Sequence, residues 1–187
     1  MDSETLLDYY ISSKNQSDKG THHNYIQSFY THHFSDRRND EINILEIGVR
    51  FGWSIKLWRE WFTKGEVVGI DVFYTKEAQE LLKDLDVNII IDDAYSNDCV
   101  NSVSIPNDFF DYIIDDGPHT LESQLNFVKL YLPKLKKGGM LIIEDILEWR
   151  TVKNKFEELG KELNLEYEGE YIPGSRKADN AIVVYRK

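Results

Sequence analysis

The 187-residue chain is acidic throughout, with 33 Asp and Glu residues against 22 Lys and Arg and a formal charge of −11. Such a surface repels phosphate backbones and anionic lipids, so we expect neither nucleic acid nor a membrane as a partner. The single cysteine, Cys99, excludes an intramolecular disulfide. The sequence shows neither a signal-peptide pattern nor an apolar run of ~18 residues, and we expect a cytoplasmic protein.

The N-terminal part of the chain differs in composition from the rest. Residues 1–40 are polar and rich in His and Tyr, whereas short apolar runs alternate with amphipathic segments from residue 41 onward. We therefore predict an N-terminal arm or lid, 1–40, and a catalytic domain, 41–187. Five runs rich in β-branched residues are predicted strands. They span 42–49, 67–73, 87–91, 110–115 and 139–145.

The segments between these runs have helical spacing. The clearest apolar stripe consists of Leu121, Leu125, Val128 and Leu132. After a further amphipathic helix around Phe156, the turn PGSRKADN joins two strand-like runs, 165–172 and 181–186. Five alternations of strand and helix predict a parallel, doubly wound sheet, and the last two runs predict an antiparallel pair at its edge. The predicted fold is α/β, a Rossmann-like sheet of about seven strands, mostly parallel.

Acidic residues follow each of the five predicted parallel strands, at the edge where ligands bind in open α/β sheets. One such acid is commonly a turn residue or a helix cap, but acids after all five strands indicate a site. These residues are Glu46, Asp71, Asp92, Asp93, Asp115, Asp116, Glu144 and Asp145.

The turn after the first strand, EIGVRFGWS, indicates which cofactor binds. It contains Gly48 and Gly52, but Arg50 stands at the middle glycine of the dinucleotide fingerprint G-x-G-x-x-G, so a dinucleotide is not expected. Glu46 favours a cationic ligand, and Asp71, at the end of the second strand, can accept hydrogen bonds from both hydroxyls of a ribose. A nucleoside with a positively charged, phosphate-free tail satisfies both conditions, and S-adenosylmethionine is such a molecule.

Three carboxylates follow the fourth and fifth strands, which should be neighbours in the sheet: Asp116, Glu144 and Asp145. Carboxylates this close together require raised pKa values or a cation. Since the ligands are oxygens, we predict Mg²⁺ or Mn²⁺, with Ca²⁺ as an alternative. His119 lies at the start of the next helix, whose N-terminus should favour the neutral imidazole, and we predict that it is a general base. The alternative is an ordinary turn histidine.

Four segments resemble the strand motifs of class I S-adenosylmethionine-dependent methyltransferases: ILEIGVRFGWSIKLWREWF, GIDVF, IIDDGPHTLESQ and GGMLIIEDI. The pair DDGPH and IIED, together with SDKGTHHNYIQSFY near the N-terminus, is similar to the metal-dependent O-methyltransferases of deoxysugars. That group includes macrolide-glycoside and rhamnosyl O-methyltransferases and the cephalosporin-hydroxylase-like proteins. The resemblance implies that Asp116, Glu144 and Asp145 bind the metal ion and that His119 is the base.

The sequence departs from the family pattern at three places. Arg50 replaces the usual glycine, Trp53 stands where a small residue is commoner, and the third strand ends in Asp-Asp-Ala, which leaves Asp93 as the matching acid. Asp115 is expected to face the cofactor or to orient His119. The segment SDKGTHHNY is expected to form a lid that brings Lys19, His23 and Tyr25 near cofactor or substrate, with a solvated arm as the alternative. The residues expected to contact the cofactor are Glu46, Gly48, Arg50, Gly52, Trp53, Asp71, Asp93, Asp115 and Lys19.

The expected function is metal-dependent transfer of a methyl group from S-adenosylmethionine to a sugar hydroxyl, in a deoxysugar such as rhamnose of a glycan or glycoside. His119 would take the hydroxyl proton while the ion stabilises the developing alkoxide. The alternatives are a small-molecule O-methyltransferase of the catechol type and a non-catalytic binding module with the cofactor fold. The sequence identifies neither the sugar nor the hydroxyl, and a neighbouring subunit of a homo-oligomer could complete the acceptor site.

Overall fold

A computed structural model of the chain describes residues 4–102, 106–173 and 180–187. Seven strands in these residues form one sheet. They are β1 (Ile44–Ile47), β2 (Val67–Asp71), β3 (Asn88–Ile91), β4 (Phe110–Asp115), β5 (Leu135–Ile143), β6 (Glu166–Tyr171) and β7 (Ala181–Arg186). The strand order is β3-β2-β1-β4-β5-β7-β6.

The sheet is parallel from β1 to β5, and β7 runs antiparallel between β5 and β6. This arrangement confirms the predicted mostly parallel sheet with an antiparallel C-terminal pair. Most of the predicted turn between β6 and β7, residues 174–179, lies outside the described residues. The chain order reverses between β1 and β4, which is the position where open α/β sheets bind their ligands.

Helices surround the sheet on both faces. They are α1 (Leu6–Ser12), α2 (Asp18–Thr21), α3 (Thr31–Phe34), α4 (Trp53–Trp61), α5 (Lys76–Leu82), α6 (Asn97–Ser102), α7 (Leu121–Tyr131) and α8 (Trp149–Leu163), with a π-helical segment at Ile26–Tyr30 and 3-10 turns at Ser35–Arg37 and Leu132–Lys134. None of the helices in the described part of the chain has the length and apolar character that a membrane crossing needs.

The core consists of two apolar clusters, one on each face of the sheet. Ile44 and Leu45 are neighbours in β1 but belong to different clusters, because successive side chains of a strand point to opposite faces. The N-terminal arm contributes Tyr30 and Phe34 to one cluster, where Tyr30 packs 5.0 Å from Trp58 of α4. Residues of the arm are therefore part of the same core as the strands.

Burial differs from the sequence prediction at two elements. A doubly wound sheet should be covered on both faces, but the strand β3 is partly exposed, because it lies at an edge of the sheet with a neighbour on one side only. Of the predicted stripe, Val128 is fully buried, whereas Leu121 and Leu125 of α7 and Leu132 just after it are partly buried at the margin of the core. The buried face of α7 consists of Gln124, Phe127, Val128 and Tyr131.

Candidate active site

The carboxyl ends of β1, β4 and β5 meet at one edge of the sheet and bring the predicted acids together. Asp115 pairs in register with Ile47 of β1. Just beyond, the backbone N–H of Asp116 donates to the carbonyl of Ile47, and that of Glu144 donates to the carbonyl of Asp115, each at 3.0 Å. These backbone bonds hold the acidic turn after β4 against the acidic turn after β5.

A cavity of about 580 Å³ opens at this edge, a volume suited to a small molecule or cofactor. The predicted site residues that line it are Gly48, Arg50, Trp53, Asp71, Asp93, Asp116, His119 and Asp145. The other predicted site residues, all of them described, do not line the cavity: Lys19, Glu46, Gly52, Asp115 and Glu144. The cavity therefore extends from the turns after β1 and β2 to the turns after β4 and β5.

Backbone donors hold the Asp71 carboxylate at the cavity. Its Oδ2 accepts the N–H groups of Val49 and Arg50 at 2.8 and 2.9 Å, and its Oδ1 accepts that of Phe73 at 3.1 Å. An ionised carboxylate has about four acceptor positions, so these three bonds leave capacity for a ligand hydroxyl. Asp71 can therefore accept hydrogen bonds from a ligand in the cavity.

Gly48 allows the turn after β1 to pack closely against the turn after β4. Its φ is +95°, and a Cβ there would lie 2.1 Å from the carbonyl oxygen of Asp116. Gly52 also has a positive φ, +82°, at the residue before α4. Gly48 also lines the cavity, and the lack of a side chain there allows the turn after β1 to contact the turn after β4.

The N-terminal segment reaches the mouth of the cavity. The exposed Arg50 guanidinium lies 3.2 Å from Oδ2 of Asp18, and Gln16, Ser17 and Asp18 line the cavity. The side-chain amide of Asn15 donates to the carbonyl of Trp53 at 2.9 Å. These contacts place the beginning of α2 beside the turn after β1.

Three side chains form a group in which a metal ion could bind. Asp116, His119 and Asp145 each offer a ligand atom, and these atoms lie within 4.8 Å of one another. His119 Nε2 is 3.2 Å from Asp116 Oδ1, and His119 Nδ1 is 3.8 Å from Asp145 Oδ2. All three residues line the cavity.

Glu144, the third predicted metal ligand, instead contacts the N-terminal segment. Its Oε2 lies 2.5 Å from Nζ of Lys19, and its Oε1 accepts the hydroxyl of Tyr30. The same ammonium lies 2.6 Å from Asp116 Oδ2 and 3.3 Å from Glu46 Oε1. A buried lysine therefore places one positive charge among three carboxylates.

In this cluster, burial and the neighbouring charges shift the pKa values of Lys19 and Asp116 in opposite directions. Burial alone would lower the pKa of Lys19, but the charges of Asp116, Glu144 and Glu46 raise it well above its usual value. Burial likewise acts to raise the pKa of Asp116, but the ammonium and the contact with His119 lower it to about 2. The contact between them therefore favours the charged forms of Lys19 and Asp116.

Two aromatic residues of the N-terminal segment lie against the Asp145 carboxylate. Its Oδ1 accepts the hydroxyl of Tyr25 at 2.7 Å and lies 3.3 Å from His23 Nδ1. The rings of His23 and Tyr25 stack with their centroids 5.0 Å apart, and each residue is 1% exposed. Together with Lys19 they are buried against the acids, unlike the residues of a solvated arm.

His119 does not have the lowered pKa that the sequence argument expected. Burial acts to lower the pKa of the imidazole, but its hydrogen bond to Asp116 and the nearby carboxylate charges outweigh burial and raise it. The expectation was wrong because α7 begins at Leu121 with Thr120 as its N-cap, so His119 lies outside the helix, with a φ of +58°. The acids, rather than the helix end, dominate the environment of His119.

Sequence reasoning missed two tyrosines that bind these acids. The hydroxyl of Tyr30 contacts Glu144, and that of Tyr95 donates to Asp115 Oδ1. Tyr30 is the last residue of the segment SDKGTHHNYIQSFY, and Tyr95 follows Asp93 by two residues. Their positions next to these motifs were the signal in the sequence that could have identified them as site residues. Asp115 is fully buried beside Tyr95, and burial raises its pKa to about 6.

Curated relatives match part of this chain. The mycinamicin VI 2''-O-methyltransferase of Micromonospora griseorubida is 30% identical over 125 residues, which cover 63% of this chain and 30% of that protein. The 8-demethyl-8-(2-methoxy-alpha-L-rhamnosyl)-tetracenomycin-C 3'-O-methyltransferase of Streptomyces olivaceus is 27% identical over 143 residues, which cover 73% of this chain and 36% of that protein. The chain spans about a third of the length of the curated relatives it matches.

Solved structures share the fold. The MycE methyltransferase from the mycinamycin biosynthetic pathway, in complex with Mg, SAH and mycinamycin VI, superimposes with a TM-score of 0.61 at 21% identity, covering 100% of this chain and 54% of that one. A SAM-dependent O-methyltransferase from Thermotoga maritima gives a TM-score of 0.66 at 16% identity, covering 98% of this chain and 71% of that one. These likenesses confirm the predicted Rossmann-like architecture.

A family model described as a methyltransferase domain matches residues 45–146, more than half of the chain. The match begins in β1 and ends just after Asp145, so it includes all the strand ends that line the cavity. On this evidence the chain belongs to the methyltransferase domain family.

Proposed function

We propose that the chain is an S-adenosylmethionine-dependent O-methyltransferase that acts on a sugar hydroxyl with the help of a divalent ion, Mg²⁺ or Mn²⁺. One observation carries this proposal: a single cavity joins Asp71 to the group of Asp116, His119 and Asp145. Methyl transfer requires the donor and the acceptor oxygen to lie in line and in contact. Asp71, which could bind the nucleoside, and the group of Asp116, His119 and Asp145, which could bind and deprotonate the acceptor, share one cavity, so donor and acceptor could meet there.

The donor half of the cavity suits S-adenosylmethionine, which supplies an electrophilic methyl group on a sulfonium. Asp71 has acceptor capacity left for ribose hydroxyls. Apolar side chains that could contact the adenine line the same half: Val49, Phe51, Ile70, Val72 and Ala94. The acids at the strand ends suit a cationic ligand and disfavour a pyrophosphate.

The acceptor half suits a divalent ion. Asp116 and Asp145 present hard carboxylate oxygens in the cavity, the donor type that Mg²⁺ and Mn²⁺ prefer, and they would hold the ion. A bound ion would supply the Lewis acidity that makes an acceptor hydroxyl easier to deprotonate. The Tyr25 hydroxyl donates to Asp145 from the side of the N-terminal segment, and His23 Nδ1 lies 3.3 Å from the same carboxylate oxygen.

His119 is the proposed general base. Its imidazole lines the cavity and lies within 3.8 Å of both Asp116 and Asp145, so it is next to the site of the acceptor oxygen. The base must be neutral to accept a proton. We therefore expect the rate of transfer to rise with pH until the imidazole is deprotonated.

The names of the relatives support a deoxysugar acceptor. Two act on rhamnosyl tetracenomycin derivatives, and another is an L-olivosyl-oleandolide 3-O-methyltransferase. These proteins are 27% to 28% identical to this chain over 72% to 73% of its length. We infer a deoxysugar hydroxyl of a glycoside or glycan as the acceptor.

Calorimetry and an acceptor panel test this function. We expect S-adenosylmethionine to bind the purified chain, and we expect methyl transfer to at least one deoxysugar glycoside when Mg²⁺ is present. The panel includes rhamnosides, olivosides and, as a control, a catechol. Failure to bind the cofactor would contradict the proposal, and transfer to the catechol without transfer to any glycoside would replace the sugar acceptor by an aromatic one.

A further inference from the structure

We infer that Tyr95 is a positioning residue for methyl transfer. From the turn after β3, its side chain fixes the turn after β4, which carries Asp116 and His119. Tyr95 thereby connects the donor half of the cavity to the acceptor half. This inference rests on the function proposed above.

The Tyr95 side chain connects the ends of two strands that are not neighbours in the sheet. The strands β2 and β1 lie between β3 and β4, a separation of roughly 14 Å at the usual strand spacing. Tyr95 follows β3, and its hydroxyl donates to Oδ1 of Asp115, the last residue of β4. Asp115 is 1% exposed, so this bond lies inside the protein. The turn after β3 is thereby attached to the turn after β4.

Gly117 lies directly against this hydrogen bond. A Cβ at Gly117 would collide with the Tyr95 hydroxyl and would lie 3.2 Å from Oδ1 of Asp115. Gly117 follows Asp116 in the chain, and it lines the cavity together with Tyr95 and His119. The Tyr95 side chain therefore limits where the backbone between Asp116 and His119 can lie.

The backbone of this turn needs such support. His119 has a φ of +58°, a conformation that residues other than glycine rarely adopt and that surrounding contacts must maintain. Thr120 fixes the end of the turn, because its hydroxyl oxygen accepts the N–H of Ser123 at 3.1 Å and caps α7. Tyr95 fixes the beginning of the turn through Asp115.

The backbone beside Tyr95 is itself anchored to α7. The hydroxyl of Tyr131 donates to the Ala94 carbonyl at 2.8 Å, and the side-chain amide of Asn126 donates to the Tyr95 carbonyl at 3.4 Å. Ala94 also lines the donor half of the cavity. Since α7 begins directly after the turn that follows β4, the same helix holds both the positioned turn and the residue that positions it.

Removal of the hydroxyl tests this role. We expect Tyr95→Phe to lower kcat for methyl transfer at saturating S-adenosylmethionine by about tenfold or more, because small displacements of a reacting group are costly. The Kd of S-adenosylmethionine, measured by calorimetry, should stay close to the wild-type value. Tyr185→Phe is the matched control. Tyr185 is a buried tyrosine of the apolar cluster against which Tyr95 packs, and its hydroxyl donates to the Phe156 carbonyl at 2.7 Å, outside the cavity lining.

Tyr185→Phe should lose stability and keep the wild-type kcat. Equal kcat values for Tyr95→Phe and Tyr185→Phe would overturn the inference. Weaker binding of S-adenosylmethionine by Tyr95→Phe, with the wild-type kcat at saturation, would overturn it as well, since Tyr95 would then act as a cofactor contact.

Nuclear magnetic resonance of the apo protein gives a readout that needs no methyl transfer. The imidazole signal of His119, assigned by its absence in His119→Asn, should shift in Tyr95→Phe and stay unchanged in Tyr185→Phe. An unchanged His119 signal in Tyr95→Phe would overturn the inference, whatever the activity of the wild type. A shifted signal in a protein whose wild type transfers no methyl group would contradict the proposed function and still support the role of Tyr95 in placing His119.

A double-mutant cycle at Gly117 tests the contact itself. Gly117→Ala should lower the urea midpoint of unfolding by roughly 1 M, because the added Cβ collides with the Tyr95 hydroxyl. In the double variant, Tyr95→Phe with Gly117→Ala, the hydroxyl is absent, and the alanine should cost clearly less. The same loss from Gly117→Ala in both backgrounds would show that the Tyr95 hydroxyl does not confine this turn, and it would overturn the inference.

Discussion

The Nζ atom of Lys19 lies 2.5 Å from Oε2 of Glu144, although 125 residues separate them in the sequence. This pair joins the N-terminal segment to the turn after β5, and Tyr25 and Tyr30 make further contacts with the acids of the same turn. The segment from α2 to the π-helix therefore packs against the acids of the candidate site. Changes in it are expected to act on the acids as well as on stability.

Substitution of His119 tests its role as the base. We expect His119→Asn to lower kcat for methyl transfer by about 10²- to 10⁴-fold, the usual contribution of general base catalysis, with S-adenosylmethionine affinity nearly unchanged. His32→Asn is the control, because His32 is an exposed histidine of α3. A His119→Asn variant with wild-type kcat would assign the proton transfer to another group.

Substitution of Asp71 tests the position of the cofactor. Asp71→Asn should weaken S-adenosylmethionine binding by about 1.5 to 3 kcal/mol, because hydrogen bonds to a charged acceptor are lost. Calorimetric titration of the apo protein measures the loss. Asp84→Asn, at an exposed position outside the cavity lining, should bind as the wild type does. Equal affinities of the Asp71 variant and the wild type would place the ribose elsewhere.

Alanine at Gly48 tests the contact between the turns after β1 and β4. Gly138 offers a matched control: its φ is +80°, but a Cβ there would meet no atom within 4 Å. Gly138→Ala should cost about 1 to 2 kcal/mol of unfolding free energy, from backbone strain alone. Gly48→Ala should cost at least about 2 kcal/mol more, because its Cβ would collide with the Asp116 carbonyl.

Urea denaturation monitored by circular dichroism measures both changes. The clash also predicts that Gly48→Ala disturbs Asp116, and thus weakens Mn²⁺ binding, whereas Gly138→Ala does not. Equal costs for the two variants would mean that the turn after β1 can move away from Asp116.

The raised pKa of Asp115 predicts that the stability of the apo protein depends on pH. Burial raises its pKa from 3.8 to about 6, more than the hydrogen bond from Tyr95 lowers it. The folded state therefore binds this proton more tightly than the unfolded state. The resulting stabilisation is fully present below pH 3.8 and is lost as the pH rises through about 6.

Comparison with Asp115→Asn isolates this contribution. We expect the unfolding free energy of the wild type, relative to Asp115→Asn, to fall by up to about 3 kcal/mol between pH 4 and pH 7. The Asn oxygen can still accept the Tyr95 hydroxyl, so the comparison removes mainly the ionisation. Urea denaturation at several pH values gives the difference, and a constant difference would contradict the raised pKa.

Local sequence patterns predicted most of the sheet. The bounds of β4 and β7 coincide with the predicted runs, because each run is rich in β-branched and aromatic residues. The exposure of β3 was not predictable from its own residues, since the order of strands decides which strand lies at an edge. The buried face of α7 likewise depends on how the helix packs against β4 and β5.

The candidate site was predictable to the extent that it depends on neighbouring strands. Asp116, His119 and Asp145 meet because β4 and β5 are adjacent, a feature that the strand pattern predicts. The position of Lys19 could not be derived in this way, because it depends on long-range packing of the N-terminal segment. The raised pKa of His119 was missed for a related reason, since the helix start was placed before Leu121.

The proposed activity of the chain is metal-dependent methyl transfer from S-adenosylmethionine to a deoxysugar hydroxyl in the cavity between Asp71 and Asp116. The most direct measurement follows a radiolabelled methyl group from S-adenosylmethionine onto the glycosides of the acceptor panel, with added Mg²⁺ and, in parallel, with a chelator. We predict a labelled glycoside in the Mg²⁺ reaction, none with the chelator, and recovery when Mg²⁺ is added back. Label transfer that continues in the chelator would contradict the metal requirement, and cofactor binding without transfer to any glycoside would contradict the sugar acceptor.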